Sequence, residues 1–324
     1  MRAGISGVME SPLCDPVSGD LLRAGRPHTP QWWARPDMLA ELAAAATCEC
    51  LAQLPSDIDV GEVPILVLVS DTTRPHREAD LGPAVFTGLR ARLHHPLAAG
   101  SKVYEDNRFG IFNAYIDAAA MIAARRASHV IIVGTDSYLR QQVASAYVER
   151  RRVLTQDNSN GFNLGEAACA VLLSAATRRA GELHIIGHAS GRESGTIESE
   201  EPLTGHGLTQ ALRGALNMAG IRMDHTDYWL TDQTGEHYKA KECTLAQIRL
   251  ERRTDPTRKP YTIWHPIEYL GEIGCAIGPC LWGMALIACR KGYAPGKLAQ
   301  MHVSDESGAR AAFVLSFTGE LSNQ

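Results

Sequence analysis

Two uninterrupted apolar runs, Val63–Ser70 (VPILVLVS) and His129–Val133 (HVIIV), constrain the fold of this chain more than any other feature. A strand with one wet face alternates polar and apolar residues, whereas a continuous β-branched run fits a strand buried on both faces. Such strands need helices on either side, and the intervening sequence has helical spacing. Residues Arg35–Leu54 place a proline near the first turn and then apolar side chains at helical intervals, and Gly110–Arg126 is a small-residue helix leading into the second run. A glycine-broken strand is expected at Arg2–Ser11 and another strand at Ala167–Leu173. The pattern then restarts, with strands at Leu183–Ile186, Asp227–Leu230, Thr262–Trp264 and Ala311–Phe317. Helices are expected at Leu208–Ala219 (stopped by Gly220), Lys241–Leu250 and Leu281–Cys289. The alternation predicts an α/β protein with largely parallel, sandwiched sheets. It also predicts two similar halves, 1–177 and 178–324, that meet at the short connector Thr177–Gly181.

The chain has 324 residues, 45% of them hydrophobic and 21% charged, which is enough for a sizeable core. A net charge of −4 argues against a nucleic-acid partner, which would need a basic face. The one basic bunch, Arg249–Lys259, is interrupted by Glu251 and Asp255 and reads as a solvated loop. No apolar run reaches the ~18 residues of a membrane span, so no membrane association is expected. A cytoplasmic location is expected, and eight irregularly spaced cysteines suit a reducing compartment. Cys48 and Cys50 diverge on a helix and cannot share a metal. All eight cysteines read as buried structural thiols, and no metal or cofactor is expected.

The stretch Asn158–Ser174 (NSNGFNLGEAACAVLLS) resembles the segment close to D-G-F-x-x-G-E-G-A that β-ketoacyl synthases of the thiolase superfamily carry midway along the chain. Four other stretches match along the chain in the order a synthase has them. GISGVMESP near the N-terminus resembles the opening strand of a synthase. LTQALRGALNMAGIRMDHTDYWLTDQTGEHYKAKE resembles the stretch around the first catalytic histidine, and IEYLGEIGCAIGPCLWGMALIAC the stretch around the second. VSDESGARAAFVLSF falls where synthases carry S-F-G-F-G-G-x-N and the last strand. The resemblance implies a thiolase-like five-layered αβαβα sandwich of two similar halves. It also implies a homodimer or a heterodimer with another thiolase-fold subunit, paired through a strand near Ser101–Glu105. The chain is short for that branch. The missing loops are those that would receive an acyl carrier protein, so the resemblance lends such binding little support.

The chemistry of that family needs a cysteine thiolate at a helix N-terminus, two histidines and an oxyanion hole of backbone N–H groups. Carried over residue by residue, the nucleophile position falls on Phe109, between Arg108 and Gly110. The two histidine positions fall on Asp232, with Thr234 close by, and on Glu272. The glycine-rich loop becomes Asp305-Glu306-Ser307-Gly308. A phenyl ring cannot attack a thioester, and carboxylates oppose a developing enolate. No catalytic residue for condensation is therefore expected at Phe109, Asp232 or Glu272. Arg108, Thr234, Glu306, Ser307 and Gly308 are expected to line the remaining pocket, with Arg108 or a lysine such as Lys239 neutralising its acids.

Two functions fit this reading. One is a non-condensing pseudoenzyme that serves as a scaffold or partner subunit. It would resemble a chain-length factor or the short synthase-like proteins encoded near type VI secretion effectors. The other is a repurposed acyl hydrolase or transferase using the acidic residues. Outside that frame, Asp71-Thr-Thr-Arg-Pro-His76 follows a buried strand. It could hold a carboxylate or phosphate through Arg74 and His76, or be a turn capped by Asp71. Trp32-Trp33 reads as a loop anchor or a partner contact. The histidines His206, His237 and His265 have no ligand spacing.

Overall fold

Ile65–Leu68 and His129–Ser137, cut from the two apolar runs, lie side by side in parallel, with Ile65 opposite Ile131 and Leu68 opposite Gly134. The computed structural model describes residues 4–28, 35–177, 179–251 and 261–321. Trp32 and Trp33 lie outside the described residues, as do 252–259 of the basic bunch. The first elements in chain order are β1 (Val8–Cys14), β2 (Leu21–Gly25), α1 (Pro36–Leu51), β3 (Ile65–Leu68), α2 (Leu81–Arg92) and β4 (Lys102–Tyr104). Then come α3 (Gly110–Ala123), β5 (His129–Ser137), α4 (Gln141–Glu149) and β6 (Leu164–Ser174). The rest are β7 (Leu183–Arg192), α5 (His206–Ala219), β8 (Tyr228–Thr231), α6 (His237–Leu250), β9 (Thr262–Trp264), α7 (Ile267–Leu270), α8 (Ile277–Arg290), β10 (Leu298–Ser304) and β11 (Ala309–Phe317). No helix among the described residues is long and apolar enough to cross a membrane.

The chain divides into two compact units, Met1–Ala175 with Ile267–Cys280, and Ala176–Pro266 with Leu281–Gln324. The first holds a six-stranded sheet in the order β1-β2-β6-β5-β3-β4. Leu39, Ala40 and Ala43 of α1 and Val85 and Leu89 of α2 pack on Ile65, Val67, Ile131 and Val133. The alanines of α1 let the helices approach closely. A Cβ added at Gly88 of α2 would lie 2.7 Å from that of Ala40. All four β3 residues are buried, as a strand covered on both faces requires.

The second unit holds a five-stranded sheet, β7-β11-β10-β8-β9. Helix α5 lies directly on the backbone of β7. A Cβ at Gly187 or Gly191 would meet the carbonyl oxygen of Ala215 at 2.1 Å or that of Gly207 at 2.2 Å. Leu208, Leu212 and Leu216 of α5 then reach Trp229, Ala312 and Val314.

Three expectations need correction. The sheets are mixed rather than largely parallel, because β1–β2, β5–β6, β7–β11 and β10–β11 all pair antiparallel. The first strand begins at Val8 and forms a hairpin with β2, which the sequence reading did not separate. Cys48 is exposed and Cys14 and Cys169 are half-buried, so five of the eight thiols are buried rather than all.

Candidate functional site

Each unit contains a dense buried network of charged groups among the described residues, and Phe109, Asp232 and Glu272, singled out by the resemblance, fall within or beside these networks. In the first unit a short 3-10 turn, Asn107–Phe109, leads straight into α3. Phe109 therefore occupies the N-terminal end of a helix, where a thiolate would be stabilised by the dipole. It carries a half-buried phenyl ring stacked on Phe112, with centroids 5.4 Å apart.

Its neighbour Arg108 is 1% exposed and pairs with Glu272 at 2.8 Å, with both side chains wholly buried. The other carboxylate oxygen of Glu272 accepts the N–H of Gly274 at 2.8 Å. Arg74, from the loop after β3, forms a two-pronged pair with Asp136 at the end of β5, at 2.5 and 2.8 Å. The same guanidinium donates to Asn107 and to the hydroxyl of Tyr138, each at 3.1 Å, and its carbon lies 4.2 Å from the Tyr138 ring centre. Asp136 also accepts the Cys275 N–H at 3.0 Å and its thiol at 3.3 Å. Burial, with Asp136 alongside, pushes the Cys275 thiol well above its ordinary range, so it is no thiolate nucleophile. Asn107 holds a left-handed backbone, φ +51, to reach Arg74.

In the second unit Asp232 follows β8 and is fully buried. Its Oδ2 accepts Lys239 Nζ at 2.6 Å and the Ser304 N–H at 2.9 Å. Lys239 comes from the first turn of α6 and also bonds the Asp232 and Ser304 carbonyls at 3.1 and 3.4 Å. His302 Nε2 lies 3.8 Å from Asp232 Oδ1, while its Nδ1 accepts the Trp229 indole N–H at 2.9 Å. That bond assigns the imidazole proton to Nε2. A second pair, Arg310 with Glu242 at 2.6 Å, is tied to the first through Ser304, whose hydroxyl donates to Glu242 at 3.1 Å.

The Asp305–Gly308 segment is the tight turn joining β10 to β11. The Ser307 N–H is taken by Asp305 Oδ1 at 2.9 Å and the Gly308 N–H by the Asp305 carbonyl at 3.1 Å. Neither amide points outward for an oxyanion. Glu306 is half-buried and Ser307 exposed. Thr234 shapes the turn before α6, accepting the Glu236 N–H at 3.1 Å and donating to its carboxylate at 3.0 Å. Gly308 has φ +93, and a Cβ there would meet the Glu193 carbonyl oxygen at 2.4 Å. Gly308→Ala is therefore expected to lower stability by about 1–2 kcal/mol in a urea titration, whereas Ser307→Ala changes it little.

Arg108 and Glu272 thus come together as a pair, and Asp232 finds Lys239. Thr234, Ser307 and Gly308 serve local turns. Sequence reasoning missed the Arg74–Asp136–Asn107–Tyr138 network and the roles of His302, Glu242 and Arg310. The signals available were the polar loop that carries Arg74 and the polar residues Thr135–Ser137 that follow an apolar strand run. The Asp71–His76 segment is a capped turn: Asp71 Oδ1 accepts the Thr73 and Arg74 N–H groups at 3.0 and 3.1 Å.

No protein-family model matches the sequence, and no curated protein does either. Solved structures do match. The ishigamide ketosynthase/chain length factor aligns with a TM-score of 0.75 at 17% identity, over 98% of this chain and 93% of that one. The Xenorhabdus doucetiae ketosynthase ApeO in complex with its chain length factor ApeC aligns at 0.65 and 14%, over 96% and 90%. The 3-oxoacyl-[acyl-carrier-protein] synthase III of Aquifex aeolicus VF5 aligns at 0.55 and 15%, over 86% and 84%. The chain accordingly has the thiolase-like α/β fold of ketosynthases.

Proposed function

We propose that this chain is a non-condensing ketosynthase-fold subunit that acts as a partner or scaffold rather than as a condensing enzyme. The observation that carries the reading is the pairing of both acids at the former histidine positions: Glu272 with Arg108 at 2.8 Å and Asp232 with Lys239 at 2.6 Å. Enolate stabilisation needs hydrogen-bond donors directed at the substrate oxygen. An ion-paired carboxylate offers none, and a phenyl ring at Phe109 takes no acyl group. The same pairing speaks against a repurposed hydrolase, because a general base must be able to receive a proton from water.

The free side of β4 supports pairing with a second thiolase-fold subunit. That strand ends the first sheet, with β3 alone beside it among the described residues. Unpaired strand edges are ready templates for another strand. Lys102 and Tyr104 of β4 both contact Asp117, so the edge is locally ordered.

The test is co-purification of the tagged full chain from its native host, followed by mass spectrometry of bound proteins. A stoichiometric active ketosynthase would identify a chain-length-factor-like subunit. Secretion components would instead identify an accessory protein of a type VI secretion effector cluster. Recovery of the chain alone, with acyl-thioester hydrolysis by the pure protein, would overturn the reading. Independently, Phe109→Cys is expected to yield no malonyl-thioester decarboxylation and no condensation, as measured by product mass. Turnover restored by that single change would mean that Asp232 and Glu272 do not block the chemistry.

A further inference from the structure

We propose that Cys169 and Cys280 are a redox-sensitive thiol pair, a modification site at which a peroxide closes a disulfide within the first unit. Cys169 lies on β6 and Cys280 in the first turn of α8, and both belong to the same compact unit. The chain places them together through the register of the sheet and the absence of a side chain at Gly134.

Ala170 and Leu172 of β6 pack on the α1 and α2 side of the sheet, together with Ile131 and Val133 of β5. Side chains alternate along a strand, so Cys169 projects from the other side. Its partner across the antiparallel ladder is Gly134. Directly opposed residues share a face, with Cβ positions about 4.5–5.5 Å apart. At Gly134 that face is filled by the short 3-10 turn Gly274–Ala276. A Cβ on Gly134 would meet the Cys275 carbonyl oxygen at 2.3 Å and the Ala276 Cα at 3.0 Å. Helix α8 starts at the next residue, so Cys280 stands one turn beyond Ala276, on the same side of the helix. Both thiols are therefore carried to one face of the β5–β6 ladder.

The two thiols also act on each other. Contact with Cys280, reinforced by burial, holds the Cys169 thiol well above its ordinary range, whereas contact with Cys169 pulls the Cys280 thiol down against the effect of burial. One sulfur thus gains thiolate character while its neighbour keeps a proton, the asymmetry that an attacking and a resolving thiol need. Cys275, on the same face, is committed elsewhere, since its thiol donates to Asp136 at 3.3 Å. Cys169 is half-buried rather than sealed, and β2 pairs with β6 only at Leu164 and Gly165, which leaves a small oxidant access to the strand. The Cys280 thiolate attacks one oxygen of hydrogen peroxide, the O–O bond breaks, and the departing hydroxide takes up a proton to leave as water. The Cys169 sulfur then attacks the resulting sulfenic sulfur, forming the S–S bond and expelling a second water. Two thiols have lost two hydrogens, and one peroxide has become two waters. The bond tethers to β6 the Ile267–Cys280 segment that carries Glu272.

The experiment exposes the reduced full chain to a small molar excess of hydrogen peroxide, alkylates the remaining thiols in denaturant and maps the digest by mass spectrometry. Two of the eight thiols are expected to disappear together. They should reappear as one cross-linked peptide pair joining Cys169 to Cys280, which dithiothreitol separates again. Cys169→Ser and Cys280→Ser should each lose the cross-link, and Cys48→Ser, which removes an exposed thiol, should keep it. If a serine variant fails to fold, the map of the native chain decides alone. The oxidised chain should also unfold at a temperature higher by about 5 °C than the reduced one, because a bond that closes a long loop restricts the unfolded chain. Eight intact thiols, cross-links through other cysteines, or Cys169 oxidised to a sulfinic acid without a bond to Cys280 would overturn the proposal. So would a cross-link that brings no rise in unfolding temperature, since the two residues would then have to be displaced to meet.

Discussion

Lys239→Met is expected to lower stability by about 3–5 kcal/mol, the usual consequence of removing one partner from a buried ion pair. The ammonium is 5% exposed and supplies three contacts, to the Asp232 carboxylate and to the carbonyls of Asp232 and Ser304. Methionine fills most of the same volume, so the loss is electrostatic rather than a cavity effect. It leaves Asp232, 0% exposed, with the Ser304 N–H and a neutral imidazole 3.8 Å away. The double variant Asp232→Asn/Lys239→Met removes both charges and should recover a large part of the loss, because no uncompensated ion then remains buried. Urea unfolding of the four proteins at neutral pH measures the coupling. If the double variant is as unstable as the sum of the singles, Asp232 and Lys239 do not act as a pair. The neutralised-site reading would then lose its main support in the second unit.

The strongly apolar parts of the fold were legible and the buried polar parts were not. Val63–Ser70 and His129–Val133 announced β3 and β5 because burial on both faces leaves no room for polar alternation. Gly220 marked the end of α5, and it does take the left-handed conformation, φ +68. In contrast β10 (LAQMHVS) passed unnoticed. Its Gln300, His302 and Ser304 alternate with Ala299, Met301 and Val303, which reads as a strand with a wet face or as a loop. All six are in fact buried. His302 and Ser304 are tolerated there because Trp229, Glu242 and the Asp232 cluster supply their partners. Sequence periodicity records hydrophobicity, and it cannot record that a distant residue satisfies a polar one. Helix α2 was missed for a related reason, since Gly82, Pro83 and Gly88 disguise a helix whose Gly88 lets it approach Ala40 of α1.

The candidate site divides along the same line. The order of motifs singled out Phe109, Asp232 and Glu272, and two of them, Asp232 and Glu272, are buried in ion pairs. Arg108 and Lys239, which lie near those positions in sequence, could be named as possible neutralisers. The Arg74–Asp136 pair joins residues 62 apart, and nothing local to either one announces the other. Its discovery needed the parallel pairing of β3 with β5, which carries the loop after one strand to the end of the next.

The second large effect concerns pH and rests on His302. Burial holds this imidazole down at about 4, with Lys239 and Arg310 adding to the depression and Asp232 opposing it. The ordinary value is about 6.5, so His302 is neutral in the folded chain at pH 5 while its unfolded counterpart is largely protonated. The unfolded state then binds more protons, and stability must rise with pH across this window. The contribution is fully present above about pH 6.5, is lost as pH falls toward 4, and amounts to about 3 kcal/mol over the whole interval. Acidic groups also titrate there, so the informative quantity is a difference. Gln can accept the Trp229 N–H and donate toward Asp232 without titrating. In His302→Gln the fall in urea-derived stability between pH 7 and pH 4 should therefore be smaller by about 3 kcal/mol than in the native chain. The native chain would start higher at pH 7 and meet or cross the variant near pH 4. Parallel profiles would mean that His302 titrates alike in the folded and unfolded chain, and a smaller fall in the native chain than in the variant would mean that it is protonated in the fold. Asp232 would then be compensated by two cations rather than one, and Lys239→Met would cost much less than the pair argument requires.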